Sequence, residues 1–316
     1  MSSLLIPFWL QHLPIVVGLT ACLAGSGKGN GVDTDTSPAV QSGSNATETQ
    51  FDARSAAWPE LPLRIENEDY TYTTHYCTVR NQRDSCDFNG RNYTMCFDRT
   101  KRGAWWVAYP LHETYFSTGR PKRDPWAYDP AFSSAWQADI SHGSYVGGYD
   151  RGHQIPNADR NADLSPGGMC YQTFYASNST PQASVLNQRS WARLEAKVRS
   201  WVCADTLYVV TGAYWCPDCV QTTDKGGNVC AVPDYYFKVV VRTVAGDIRQ
   251  EGDYLGRFAP AQLKSIGFWA ANVGQQSELK TWVRSVAEIE AATGFTFFPT
   301  LPESVKQQKE ASSWGL

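Results

Sequence analysis

Apolar positions along the chain fall mostly into short runs of β-strand length. "AWWVAYPL" (104–111), "TLYVVTGAYW" (206–215), "YYFKVVVRTV" (235–244) and "SIGFWAANV" (265–273) are rich in aromatic and β-branched residues and predict strands. Two segments carry a helical repeat instead. In "LNQRSWARLEAKVRSWV" (186–202), Trp191, Leu194, Val198 and Trp201 follow helical spacing. "SELKTWVRSVAEIEAATG" (277–294) opens on a Ser cap and stops at a Gly. Strands before and between the helices, without regular βαβ alternation, predict an α+β fold.

The N-terminal pattern differs. Residues 4–21 form an apolar stretch that ends at Cys22 and is interrupted by Pro7, Gln11, His12 and Pro14. That predicts an export signal rather than a spanning helix. "LTAC" (19–22) resembles a bacterial lipobox, so residues 1–22 read as a signal segment with Cys22 as a lipid anchor. The expected location is the bacterial cell envelope or the medium, with membrane contact through the anchor alone. Residues 23–57 are rich in Gly, Ser, Thr and Asp and predict a flexible tether. One domain is expected over 58–300, followed by a polar tail, 301–316. Beyond Cys22 there are eight cysteines, at 77, 86, 96, 170, 203, 216, 219 and 230. An even number behind an export signal predicts up to four disulfides, with 105 pairings open.

Composition narrows the class. Hydrophobic residues make up 42% and aromatic residues 13%, enough for a sizeable core. A net charge of −3 excludes a globally basic nucleic-acid binder, so any positive surface must be local. Residues 186–202 supply one: Arg189, Arg193, Lys197 and Arg199 stand against Glu195 alone.

The densest candidate chemistry is "YDRGHQIPNAD" (149–159). Gly147, Gly148 and Gly152 permit sharp turns or close approach. His153 is a candidate general base, because imidazole is largely neutral at pH 7 and still accepts a proton. Arg151 has the planar fork that clamps phosphate. Taken alone, the segment reads rather as a solvated surface loop with Asp150 in an ion pair.

It is followed by "SNSTPQASVLNQRSWARLE" (177–195). Asp150-Arg151-Gly152-His153-Gln154 with Ala158, then Ser177-Asn178 with Pro181-Gln182, then Leu186-Asn187-Gln188 with Trp191, Leu194 and Glu195, together resemble the DNA/RNA non-specific endonuclease family. Weaker similarity runs from about 93 to 300, including "WAYDP" (126–130) and "VVTG" (209–212). The resemblance implies a central, mainly antiparallel sheet flanked by helices, with a ββα-metal (His-Me finger) motif. The implied activity is hydrolysis of DNA and RNA phosphodiesters to 5′-phosphorylated products. The partners are DNA and RNA, held through the phosphate backbone.

The resemblance also assigns roles. His153 matches the general base and Asn187 the direct ligand of Mg²⁺, with Mn²⁺ as a substitute. Glu195 matches a carboxylate holding a metal-bound water. On one helix the eight-residue separation of Asn187 and Glu195 gives about 12 Å of rise and roughly 80° of rotation, which suits a water between the metal and Glu195. Asn178 matches an asparagine near the metal, and its "NST" sequon is accidental. Arg199 is a further phosphate candidate from the same helix. For an upstream phosphate-binding arginine in "GRPKRDPWAYDP" (119–130), Arg123 is the first choice, with Arg120 and Lys122 open.

"WCPDC" (215–219) supports a rival reading, a thiol–disulfide oxidoreductase. The Gly-rich sequence after it lacks helical periodicity and favours a disulfide-pinned hairpin. A zinc site on Cys216, Cys219 and Cys230 lacks a fourth ligand.

Overall fold

In a computed structural model, residues 58–80, 87–115, 117–247, 255 and 257–316 are described. The signal segment, the tether, Cys22 and Cys86 lie outside them. The predicted strands all form. In chain order the strands are β1 (Tyr70–Arg80), β2 (Asp87–Asp98), β3 (Gly103–Leu111), β4 (Tyr149–His153), β5 (Ser179–Ala183), β6 (Leu207–Tyr214), β7 (Gln221–Thr223), β8 (Val229–Ala231), β9 (Tyr235–Thr243), β10 (Leu263–Ala271) and β11 (Val283–Arg284). Seven build one sheet in the order β1-β2-β3-β6-β9-β10-β11, antiparallel at every pairing. β1 and β2 were not predicted. β1 alternates Tyr and Thr, polar β-formers that lack the aliphatic signature of the inner strands.

Helices are few and short: α1 (Met169–Gln172), α2 (Ala192–Arg199), α3 (Val286–Thr293) and α4 (Glu303–Lys306). The predicted 186–202 helix divides. Leu186–Trp191 is a π-helical turn that runs directly into α2. The predicted 277–294 helix is shorter. Its cap is Ser285, not Ser277: the Ser285 hydroxyl accepts from Glu288 N, and the Glu288 carboxylate accepts from Ser285 N in return. Gly294 ends it at φ 75°, the left-handed conformation that glycine adopts without strain.

Strand alternation assigns the two faces of the sheet. Tyr236 faces the 186–199 segment, with its ring 5.6 Å from Trp191, whereas Phe237 faces the opposite layer, 5.4 Å from Phe297. Leu186, Trp191, Leu194 and Val198 are buried in the main core with Tyr109, Val209 and Val240. At roughly 25 cal/mol per Å² of apolar surface removed from water, this stripe is what holds a short helix in place.

Two expectations are corrected. Residues 301–316 are not a polar tail: Leu301, Val305 and Trp314 are buried, and Trp201 Nε1 donates to Trp314 O at 2.8 Å. Apolar residues at 301, 305 and 314 are spaced for short helical turns, a signal that the polar average of the segment conceals. The disulfide staples are absent among the described residues. Cys77, Cys96, Cys170, Cys203, Cys216, Cys219 and Cys230 are free, and four of them are buried as small apolar side chains. No helix among the described residues is long and apolar enough to cross a membrane.

Candidate active site

β4 and β5 form a separate two-stranded antiparallel ribbon that places Asp150 opposite Gln182 and His153 opposite Ser179. The π turn and α2 follow it, so the two predicted motifs fold as strand, strand and helix. Gly147 and Gly148 turn the chain into β4 at φ 82° and 85°. Gly152 serves a different purpose: a Cβ there would stand 2.5 Å from the Gln182 side chain, so the ribbon closes only on glycine.

The ribbon and the helix enclose a cleft of about 410 Å³. Asp150, Arg151, His153, Asn187 and Glu195 all line it, so five of the predicted residues share one cavity. His153 packs between aromatic rings, 4.7 Å from Trp126 and 5.0 Å from Phe174. Its Nε2 is enclosed and has no hydrogen-bond partner among the described residues. That leaves Nδ1 as the nitrogen open to the cleft. Burial lowers the imidazole to about 3; Asp124 opposes this, and the positive charges of Arg120 and Arg151 add to it. The ring is therefore neutral at pH 7, with a lone pair available.

Asp150 organises the opposite wall. Its Oδ2 accepts from Asn187 Nδ2 at 2.9 Å and from Gln188 Nε2 at 2.8 Å, and its Oδ1 accepts from the Ser184 hydroxyl at 2.8 Å. Of the two Asn187 amide atoms only the nitrogen can donate to a carboxylate, so this contact fixes the Asn187 flip and leaves its Oδ1 for the cleft. Glu195 has no hydrogen-bond partner among the described residues. Burial raises its carboxyl above the ordinary range, and the positive charge of Lys238 opposes the rise. The donor set is thus one amide oxygen and one uncommitted carboxylate. No cluster of three or more His, Cys, Asp or Glu suited to a metal occurs among the described residues. Such a set fits a hard cation that retains most of its waters.

Three predicted residues lie elsewhere. Asn178 is fully buried, and its amide is wholly committed: Nδ2 donates to Ile155 O at 3.0 Å and Thr173 O at 2.7 Å, and Oδ1 accepts from Ile155 N at 3.1 Å. It fixes the backbone just after His153 and leaves no room for a glycan. Arg199 does not line the cleft. Its Nη1 donates to the buried Asp159 at 2.8 Å, so it is committed inside the fold rather than offered to phosphate. Arg123 is exposed and outside the cleft. Arg120 lines the cleft instead, paired with Asp124 through contacts of 2.7 and 2.8 Å.

Trp126 and Asp124 went unpredicted as site residues. Trp126 supports the His153 ring, and the Arg151 guanidinium lies 4.9 Å over its face while Arg151 Nη1 donates to Ile140 O. The "WAYDP" segment was the available signal for it. At "WCPDC", Cys219 N donates to Cys216 O in a turn that leads into β7, not a helix. Burial and Asp234 raise the Cys216 thiol, the opposite of what a redox nucleophile needs.

The chain is similar in sequence to known nucleases. Human mitochondrial endonuclease G is 30% identical over 220 residues, covering 66% of this chain and 68% of that protein. A nuclease of Serratia marcescens is 30% identical over 222 residues, covering 68% of this chain and 75% of that one. Among solved structures, EndoG in the EndoG/EndoGI complex superposes with a TM-score of 0.50 at 21% identity, covering 73% of this chain and 91% of that one; that likeness concerns the fold. The sequence pattern of the DNA/RNA non-specific endonuclease family matches residues 74–304, and the chain belongs to that family.

Proposed function

We propose that this nuclease cleaves DNA and RNA with Mg²⁺, or Mn²⁺ in its place, and that His153 is the general base. The carrying observation is that a neutral imidazole and an oriented asparagine oxygen line one cleft with two arginines. His153 Nδ1 takes a proton from water as the water attacks phosphorus. Arg151 and Arg120 face the non-bridging oxygens and neutralise developing charge. Asn187 Oδ1 would hold the cation, and Glu195 would orient one of its waters. When bound, Mg²⁺ would supply Lewis acidity that stabilises the charge building up during cleavage. Release at the 3′ oxygen leaves 5′-phosphorylated products. Recognition of phosphate and sugar rather than base edges gives little sequence preference.

Digestion of supercoiled plasmid and of structured RNA with Mg²⁺, with EDTA, and by His153→Ala and Asn187→Ala tests this. Both substrates are expected to be cut only by wild type with the metal. Near-native cleavage by His153→Ala refutes the mechanism, and binding without cutting refutes the catalytic reading. Export with lipid attachment at Cys22 is proposed from sequence alone, and release from membranes by Cys22→Ser tests it.

A further inference from the structure

Arg120 and Asp124 stand on the loop that leads into Trp126, and both line the cleft. Each is followed by a proline, Pro121 and Pro125, which disfavours helical backbone at the residue before it and stiffens the loop. The loop is also tied at its start. The buried Asn161 accepts from Ser117 N at 2.7 Å through Oδ1 and donates to Gly119 O at 2.9 Å through Nδ2. Gly119 itself sits at φ 135°, a conformation that glycine adopts without strain, so the chain turns there immediately before Arg120.

The contact between the two side chains uses one edge of the guanidinium. Arg120 Nε donates to Asp124 Oδ1 at 3.1 Å, and Nη2 donates to Oδ1 at 2.7 Å and to Oδ2 at 2.8 Å. Nη1, at the other edge, has no acceptor among the described residues. A guanidinium carries its N–H donors in a fixed planar fork, so it can hold a carboxylate on one edge and a phosphate on the other. Stability does not explain the pair, because ion pairs this exposed contribute little. A carboxylate in a phosphate-binding cleft also repels the substrate unless its charge is put to use.

We propose that Asp124 is a positioning residue that acts through Arg120: it occupies the Nε–Nη2 edge, fixes the plane of the fork and leaves the Nη1 edge for a non-bridging oxygen of the scissile phosphate. Holding a long side chain in place before the substrate arrives spares the ordering cost otherwise met on the way to the transition state. Asp124 touches no substrate, and its consequence for cleavage rests on the reading of Arg120 given above.

The test is steady-state cleavage of a short duplex with Mg²⁺ by Asp124→Ala, Arg120→Ala and the double variant, with kcat and KM determined separately. All three are expected to melt as wild type does, since the pair is exposed. Asp124→Ala is expected to lower kcat by about fivefold through loss of alignment. KM for DNA should stay level or fall, because the cleft loses a negative charge. In the Arg120→Ala background the same change should lower kcat by less than about twofold, since its target is gone. Asp124→Asn, which keeps an acceptor oxygen, should recover part of the loss. An unchanged or raised kcat in Asp124→Ala, or an equal loss in both backgrounds, overturns the positioning role alone. Wild-type cleavage by Arg120→Ala instead overturns the phosphate reading of Arg120, and the role of Asp124 falls with it.

Discussion

Asp150 Oδ2 holds the Asn187 amide nitrogen at 2.9 Å, and this contact joins the two halves of the site. The strand residue fixes which atom the helix residue offers to the cleft. Removing the carboxylate frees the amide to flip. Asp150→Ala is expected to lower activity by roughly 10–100-fold and to raise the Mg²⁺ concentration needed for half-maximal rate. A metal titration of cleavage checks this, with circular dichroism showing an unchanged fold. An unaltered metal dependence would separate Asp150 from Asn187.

His153 titrates far below an ordinary histidine, at about 3 against 6.5, chiefly through burial. In the unfolded chain it protonates as pH falls through about 6.5; in the folded protein it resists until about 3. Its contribution to stability is therefore complete above pH 6.5 and declines as pH drops through the window down to 3. The His153 ring signals are expected to stay constant in an NMR titration from pH 8 to 5. His153→Ala should lose at least about 10²-fold in rate.

Arg120 faces the cleft and Arg123 does not. Arg120→Ala is expected to reduce kcat/KM for DNA by about tenfold or more, as loss of a phosphate-facing cation implies. Arg123→Ala should leave it near wild type. Steady-state cleavage of a short duplex distinguishes them, and equal losses would move the phosphate contact away from Arg120.

Trp314 is buried against Trp201, with ring centroids 4.6 Å apart. Trp314→Ala is expected to cost about 3–5 kcal/mol, as large aromatic truncations in cores do. Urea unfolding measures it. A near-zero loss would show that the segment contributes little to the core.

The strands of the inner sheet were legible because aliphatic and aromatic runs leave one reading. The site motifs were legible because Asp150 to His153 and Asn187 to Glu195 sit on contiguous elements. What escaped was long-range. Nothing in the order of residues says that Asp159 captures Arg199, or that Arg120 rather than Arg123 turns inward. Asn178 looked chemical because its residue type is, yet its bonds to Ile155 and Thr173 are those of a backbone clamp. The cysteine count suggested cross-links, but burial alone accounts for Cys96, Cys170 and Cys230.

The π turn at Leu186–Trp191 has a consequence for how the cleft tolerates length changes. A π turn is an α-helix holding one surplus residue. Deleting a single residue between Asn187 and Trp191 would regularise the hydrogen bonding and leave the helix intact by any spectroscopic measure. Because the wider turn is what absorbs the surplus residue, its removal would leave Asn187 close to its present bearing relative to Glu195. The cleft can therefore lose a residue at this turn, whereas the same deletion in the regular helix that follows would rotate the groups on its two sides by about 100°.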